Sequence, residues 1–244
     1  MGIPKIKNIY SEIQFAKTRN QKLIAILIDP DETDVERLDK LILPIKSSPA
    51  THILIGGSRV KTTHLDKLVQ FLKTNLSLPI ILFPGHPSQI SVHADGILFL
   101  NLLSGRNPDY LAEHQVNAVP FLKNSDLEIM PTAYLLIESG AETAVERVSQ
   151  TNPLDRNNAE YVVQTALAGE YLGNKLVYLE AGSGAKLTVP LEIIQKVSNS
   201  ISIPLIVGGG IRSRKGIKEA FEAGADLVVI GTAFENDVNF FAHD

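Results

Sequence analysis

The chain is predicted to be an α/β protein whose eight strands close into a single (β/α)8, or TIM, barrel. Three observations carry that prediction. Short β-branched runs recur along the chain, amphipathic helix-like segments separate them, and eight such units fit within 244 residues. The apolar runs are 24–28, 52–55, 79–83, 96–100, 133–137, 175–179, 204–207 and 227–230. Most are bounded by Gly, Pro or Asp and are apolar nearly throughout, as strands of a parallel sheet covered on both faces are. Eight units in this length favour a closed barrel over an open doubly wound sheet.

The connecting segments carry their own signals. Residues 1–244 are expected to form one domain with an N-terminal helical extension, because no linker or low-complexity stretch divides them. Segment 35–46 is amphipathic, and Thr33 with Glu36 reads as a capping box at its start. Thr63 with Asp66 repeats that signal more weakly before 65–73. The link 87–92 is short and weakly helical, and 101–130 is the longest, with 108–114 its helix-like part. Segment 159–172 follows the fifth strand. Thr188 is placed to cap a helix over 191–197 that holds Pro190 in its first turn. Segment 216–223 runs into Gly224, as a helix meets its C-terminal glycine.

Composition excludes several classes of function. Hydrophobic residues at 44% and charged residues at 20% suit a folded globular domain rather than a disordered one. A net charge of −4 without Lys/Arg runs argues against nucleic acid as a partner. The absence of cysteine removes disulfides, thiolate metal sites and cysteine nucleophiles together. No apolar stretch reaches membrane-spanning length and residues 1–20 lack a signal-peptide core, so a cytoplasmic location is expected. Peripheral contact with a membrane surface stays open, since a lipid-handling protein needs no anchor to meet its substrate.

Two glycine-rich runs, Tyr178-Leu179-Glu180-Ala181-Gly182-Ser183-Gly184 and Gly208-Gly209-Gly210-Ile211-Arg212-Ser213, each follow a strand and precede a helix. Such turns in consecutive units offer backbone N–H groups to one anion, a phosphate above all. Gly231-Thr232 ends the eighth strand, and the loops after strands seven and eight are where barrels frequently bind phosphate. Either Ser213 or Thr232 could add a hydroxyl, and Lys186 and Arg212 are candidates for a further contact. Alternation along the sixth strand turns Leu176, Tyr178 and Glu180 inward and Val177 and Leu179 outward. Glu180 then reads either as a carboxylate paired with a lysine or as a general base beside the phosphate. Asp29 stands where the first strand stops, facing Ser58 after the second, while Asp31 and Glu32 read as solvated surface charge. One carboxylate and one hydroxyl suit Mg²⁺ held mainly by substrate phosphates and water. The histidines, His86 and His93 among them, form no metal-ligand pattern, and no serine sits in a GxSxG elbow.

Taken together, Ile28-Asp29-Pro30-Asp31, Gly56-Gly57-Ser58, Phe83-Pro84-Gly85, the stretch from Phe99 to Asn107, and the runs at Tyr178, Gly208 and Gly231 resemble the geranylgeranylglyceryl phosphate synthase family, which includes heptaprenylglyceryl phosphate synthases. The resemblance implies a prenyltransferase that joins a polyprenyl diphosphate, geranylgeranyl diphosphate first, to sn-glycerol 1-phosphate through an ether in lipid biosynthesis. By matching position, Asp29 and Ser58 would hold Mg²⁺ on the diphosphate. Glu180 would take the hydroxyl proton with Tyr178 positioning the substrate, and Ser183, Gly184, Gly209, Gly210, Gly231 and Thr232 would hold the glycerol phosphate. The apolar third and fourth strand ends, Phe83-Pro84-Gly85 and Phe99-Leu100-Asn101-Leu102-Leu103, would begin a groove for the tail. The resemblance also implies a homo-oligomer, a dimer or a hexamer. Where some members carry a lysine two residues before the aspartate, this chain has Leu27, and Arg59, Lys61 and Arg106 are the candidate replacements. A phosphosugar isomerase or aldolase, or a non-catalytic phosphometabolite binder, would use the same cradle.

Overall fold

The computed structural model of the chain describes residues 8–33, 38–57 and 64–242. Its eight strands are β1 (Leu23–Ile28), β2 (His52–Ile55), β3 (Ile80–Leu82), β4 (Gly96–Leu102), β5 (Glu128–Leu136), β6 (Leu176–Glu180), β7 (Leu205–Gly208) and β8 (Leu227–Ile230). They pair in parallel in sequence order, and β8 closes onto β1 through Ala25 opposite Val229. Around them lie α1 (Ile9–Thr18), α2 (Asp39–Ser47), α3 (Leu65–Asn75), α4 (His114–Leu122), α5 (Ala144–Ser149), α6 (Ala159–Tyr171), α7 (Leu191–Ser200), α8 (Arg214–Glu222) and α9 (Thr232–Asn236).

Period-two alternation sorts the strand side chains into two cores. Ala25, Leu54, Ile81, Leu98, Leu176 and Tyr178 fill the barrel interior. Their neighbours Ile26, Ile53, Ile80, Ile97, Val177 and Leu179 face outward into the helical layer. The helices answer with stripes of their own: α3 buries Leu65, Leu68, Val69 and Leu72, the one-face spacing of an amphipathic helix. Past α8, Gly224 takes a φ of +113° and its N–H returns to the Phe221 carbonyl, the C-terminal glycine expected there.

Other local expectations are corrected. α7 begins after Pro190, which itself occupies the capping position, so Thr188 lies two residues ahead of the cap and no side chain caps the helix. The link 101–130 resolves into a π-helical turn, Asp109–Glu113, that runs into α4. β5 starts five residues earlier than its apolar run, at Glu128. Its ladder with β6 begins only at Thr132, and although the Pro131 carbonyl accepts the Lys175 N–H at 2.8 Å, the missing Pro131 N–H falls at the local sheet edge where it does no harm. The connection from β3 to β4 contains no helix, Pro84, Gly85 and Pro87 breaking any helical run. The capping partners Glu36 and Thr63 lie outside the described residues; Thr33 donates its hydroxyl to the Asp29 carbonyl at 2.7 Å.

The N-terminal mouth of the barrel is stoppered by α1. Ile9, Ile13 and Ala16 join the interior core beside Leu23 and Met130. The Glu128 carboxylate accepts the N–H groups of Ile9 at 2.6 Å and Tyr10 at 3.0 Å, which satisfies orphan donors and sets a negative charge at the positive helix end. At the other end Lys17 reaches Asp226 at 3.0 Å. Glu128→Ala should therefore cost about 1–3 kcal/mol of stability, read as a lowered thermal midpoint. An unchanged midpoint would show that apolar packing alone docks α1.

Candidate active site

The C-terminal strand ends surround one cleft of about 640 Å³. Asp29, Tyr178, Glu180, Ser183, Gly184, Gly209, Gly210, Gly231 and Thr232 all line it, so residues read from four separate stretches of sequence converge on one space. Ser58, Arg59 and Lys61 lie outside the described residues.

Glu180 ends β6 with only 5% of its surface exposed. Its carboxylate accepts the Gly182 N–H at 2.6 Å, so the glycine-rich turn curls back over the strand end to hold it. Burial pushes its pKa up to about 7, against the lowering effects of the Gly182 N–H and the neighbouring Tyr178 phenol. A carboxylic acid poised there can shed and take up a proton near neutral pH. Among the described residues no lysine lines the cleft, which favours the general-base reading of Glu180 over the lysine-paired one.

The glycine triplet makes room for this acid. A Cβ on Gly209, which has a φ of +82°, would overlap the Glu180 carboxylate and come within 2.6 Å of the Gly182 nitrogen. A Cβ on Gly208 would meet the Tyr178 hydroxyl at 2.5 Å. Tyr178 is fully buried beneath Glu180, stacked on Phe83 at 5.2 Å and edge-on to Tyr134 at 5.4 Å. Its hydroxyl lies beside the carboxylate without making a hydrogen bond of normal geometry. Burial first, and then the charge of Glu180, drive its pKa well above the ordinary phenol value, so it stays protonated.

Asp29 stands across the cleft on the end of β1. One of its oxygens accepts the Asp31 N–H at 2.9 Å, and the carboxylate packs so closely on Gly57 that a Cβ there would overlap it. Burial, with Asp31 and Glu32 adding negative charge, raises its pKa despite the Asp31 bond. Among the described residues no three His, Asp or Glu side chains converge as a metal cage. That donor set fits a hard cation that draws most of its ligands from substrate phosphates and water.

The side of the cleft at the third and fourth strand ends is mainly apolar. Phe83, Pro84 and Gly85 line it with Phe99, Leu100 and Leu102, as the strand-end reading anticipates, whereas Asn101 and Leu103 do not. Asn101 is held elsewhere, donating to the Leu111 carbonyl at 2.9 Å. Ile97 and Phe99 belong to the outer face of β4 and Leu98 to the inner one, yet all three border the same space. The cleft thus spills over the barrel rim where the β3–β4 helix is lacking, between Ile90 and Ala118. At its mouth the rings of His86 and His114 lie 5.1 Å apart.

Several polar assignments change. Arg106 does not line the cleft: it donates to the Leu103 carbonyl at 2.6 Å and Gly105 carbonyl at 2.7 Å, and to the Tyr161 hydroxyl at 3.0 Å. Those bonds fix it as a loop staple rather than a replacement for the lysine absent at Leu27. Ser213 caps α8 by accepting the Gly216 N–H at 3.1 Å and is not a cleft residue, nor is Lys186. Arg212 does border the cleft, tied to the Ala185 carbonyl at 2.7 Å. Asp31 and Glu32 are exposed, as the solvated charge expected of them, and they also border the cleft rim. Sequence reasoning missed Glu235, whose carboxylate accepts the Asp29 N–H at 3.0 Å. Its only signal was the spacing from Thr232, which puts both on one face of a short helix opposite the apolar Phe234.

Comparison with known proteins finds relatives over nearly the whole chain. The PcrB family matches residues 16–243. A geranylgeranylglyceryl phosphate synthase of Flavobacterium johnsoniae is 59% identical over 97% of this chain and 97% of its own length. One from Zunongwangia profunda is 52% identical over 89% of this chain and 92% of its own. The crystal structure of (S)-3-O-geranylgeranylglyceryl phosphate synthase from Thermoplasma acidophilum, in complex with its substrate sn-glycerol-1-phosphate, superposes with a TM-score of 0.90 at 33% identity, covering 96% of this chain and 94% of that one.

Proposed function

The chain belongs to the PcrB family, and on that footing we propose that it transfers a polyprenyl group, geranylgeranyl foremost, from its diphosphate to the primary hydroxyl of sn-glycerol 1-phosphate. The product is an ether and the leaving group is diphosphate. The observation that carries this reading is the buried Glu180, held by the turn that also contributes Ser183 and Gly184 to the cleft. An acceptor whose phosphate rests on Ser183, Gly184, Gly209, Gly210, Gly231 and Thr232 would present its hydroxyl to that carboxylate. Glu180 takes the hydroxyl proton as the carbon–oxygen bond forms, and the protonated Tyr178 supports the oxygen atoms above it.

Mg²⁺, held by Asp29 and Ser58 together with the diphosphate, would neutralise the charge that builds on the leaving group. Through such a cation Asp29 would hold the diphosphate end of the donor across the cleft from Glu180, and position would do much of the work. The apolar overflow between Ile90 and Ala118 suits the tail. No helix among the described residues is long and apolar enough to cross a membrane, so contact with a bilayer would be peripheral. Exposed Tyr171 and Leu172 at the end of α6 support a homo-oligomer. The lack of a cleft lysine among the described residues speaks against an aldolase that forms a Schiff base.

The test is direct. Incubation with labelled sn-glycerol 1-phosphate, Mg²⁺ and prenyl diphosphates of several lengths should yield an ether lipid, fastest with geranylgeranyl diphosphate. Failure with every donor would refute prenyl transfer. Asp29→Asn should abolish turnover or its dependence on Mg²⁺, and an unaltered Mg²⁺ titration would remove Asp29 as a ligand.

A further inference from the structure

The described contacts of Asp29 extend beyond its carboxylate. Its N–H is donated to Glu235 at 3.0 Å and its carbonyl accepts the Thr33 hydroxyl at 2.7 Å, so the peptide units on both sides of the residue are pinned. Glu235 comes from the far end of the chain, on α9, immediately after the last barrel strand. Its own position is fixed: Phe234 beside it is 1% exposed, and the N–H groups of Phe234 and Glu235 both close onto the Gly231 carbonyl, at 2.8 and 3.1 Å. Gly231 and Glu235 both line the cleft. One short helix therefore lines the cleft at Thr232, its first residue, and grips Asp29 one turn later.

We infer that Glu235 is a positioning residue for the transfer: by accepting the Asp29 N–H it holds the β1 end in the orientation that aims the Asp29 carboxylate at the donor's metal–diphosphate. This rests on the prenyltransferase reading with Asp29 as a cation ligand. A carboxylate that acts through a backbone N–H, rather than on the cation, makes a specific demand. What matters is an acceptor oxygen at that place, and Gln supplies one as well as Glu does.

Mn²⁺ binding in the presence of inorganic diphosphate, followed by electron paramagnetic resonance on the full chain, tests this without turnover. Glu235→Ala should weaken Mn²⁺ binding by about tenfold, the effect of one lost hydrogen bond to a charged acceptor. Glu235→Gln should stay within about threefold of the wild type, because the bond survives. Thermal midpoints close to that of the wild type show that neither variant acts by unfolding. Unchanged Mn²⁺ binding in Glu235→Ala overturns the inference. So does an equal loss in both variants, which would make the negative charge itself the active property. Asp29→Asn separates the inference from its premise. If it binds Mn²⁺ as the wild type does, Asp29 is not the ligand, and the route through it fails with the premise. If it loses Mn²⁺ while Glu235→Ala does not, only the role of Glu235 falls.

Discussion

Glu180→Gln is expected to lower kcat by about 10²–10⁴ while making the protein more stable at pH 8. Gln keeps the shape and can still accept the Gly182 N–H, but it cannot take a proton from the glycerol hydroxyl. The gain in stability follows from the raised pKa. A buried acid with a folded value near 7 holds its proton more tightly than the unfolded chain does, with its ordinary value of 4.5. The folded state binds more protons between those values, so stability is fullest below the unfolded value and falls as pH rises through about 7. Above that the buried charge costs on the order of 3 kcal/mol, a cost that the amide avoids. The thermal midpoint of the variant should then exceed that of the wild type by several degrees at pH 8, and the two should converge near pH 5. Equal gaps at both pH values would mean that Glu180 is not an ionised buried acid. Wild-type turnover would remove it as the base and leave the family untouched. The same titration gives the wild-type enzyme an acidic limb in kcat near pH 7 that Glu180→Gln lacks.

Gly209→Ala should be nearly as damaging for a different reason. The new methyl group would fall on the Glu180 carboxylate and on the Gly182 nitrogen, so the 2.6 Å bond between them must break. Backbone strain at a φ of +82° adds about 1–2 kcal/mol. The expected result is loss of at least about 10² in kcat, since the base loses both its bond and its place, with a clear fall in thermal midpoint. Gly184→Ala is the internal comparison: its φ is +79°, but nothing lies within 4 Å of the new Cβ. It should carry the strain of about 1–2 kcal/mol without displacing Glu180, so its loss should fall mainly on the KM for sn-glycerol 1-phosphate and less on kcat. Similar kcat values for the two variants would show that the closeness of Gly209 to Glu180 is unimportant.

These comparisons show how far local patterns reach. The inward turn of Tyr178 and Glu180 was legible because strand alternation needs no partner to be recognised. The glycine triplet was legible as a turn near a phosphate, but not as the space that admits Glu180 and Tyr178. That purpose depends on β6 and β7 lying side by side, with Glu180 opposite Gly208. α5 went unread although Thr143 and Glu146 form the capping box that announces it. The early start of β5 was hidden by Pro131, whose edge position exists only in the assembled sheet. Glu235 was hardest, because its bond to Asp29 spans 206 residues and arises only when the barrel closes.

The helix-free passage from β3 to β4 has one more consequence. In a complete barrel the outer faces of Ile97 and Phe99 would lie beneath a helix's apolar stripe. Here Phe99 is only half-buried and faces the cleft, and Ile97, though buried, borders it as well. A hydrocarbon chain settled there would stand in for an absent layer of the protein, so the lipid would serve as substrate and as packing at once. On this view tail length is judged along a surface track rather than in a closed chamber, and each added isoprene unit gains or loses contact according to where that track ends.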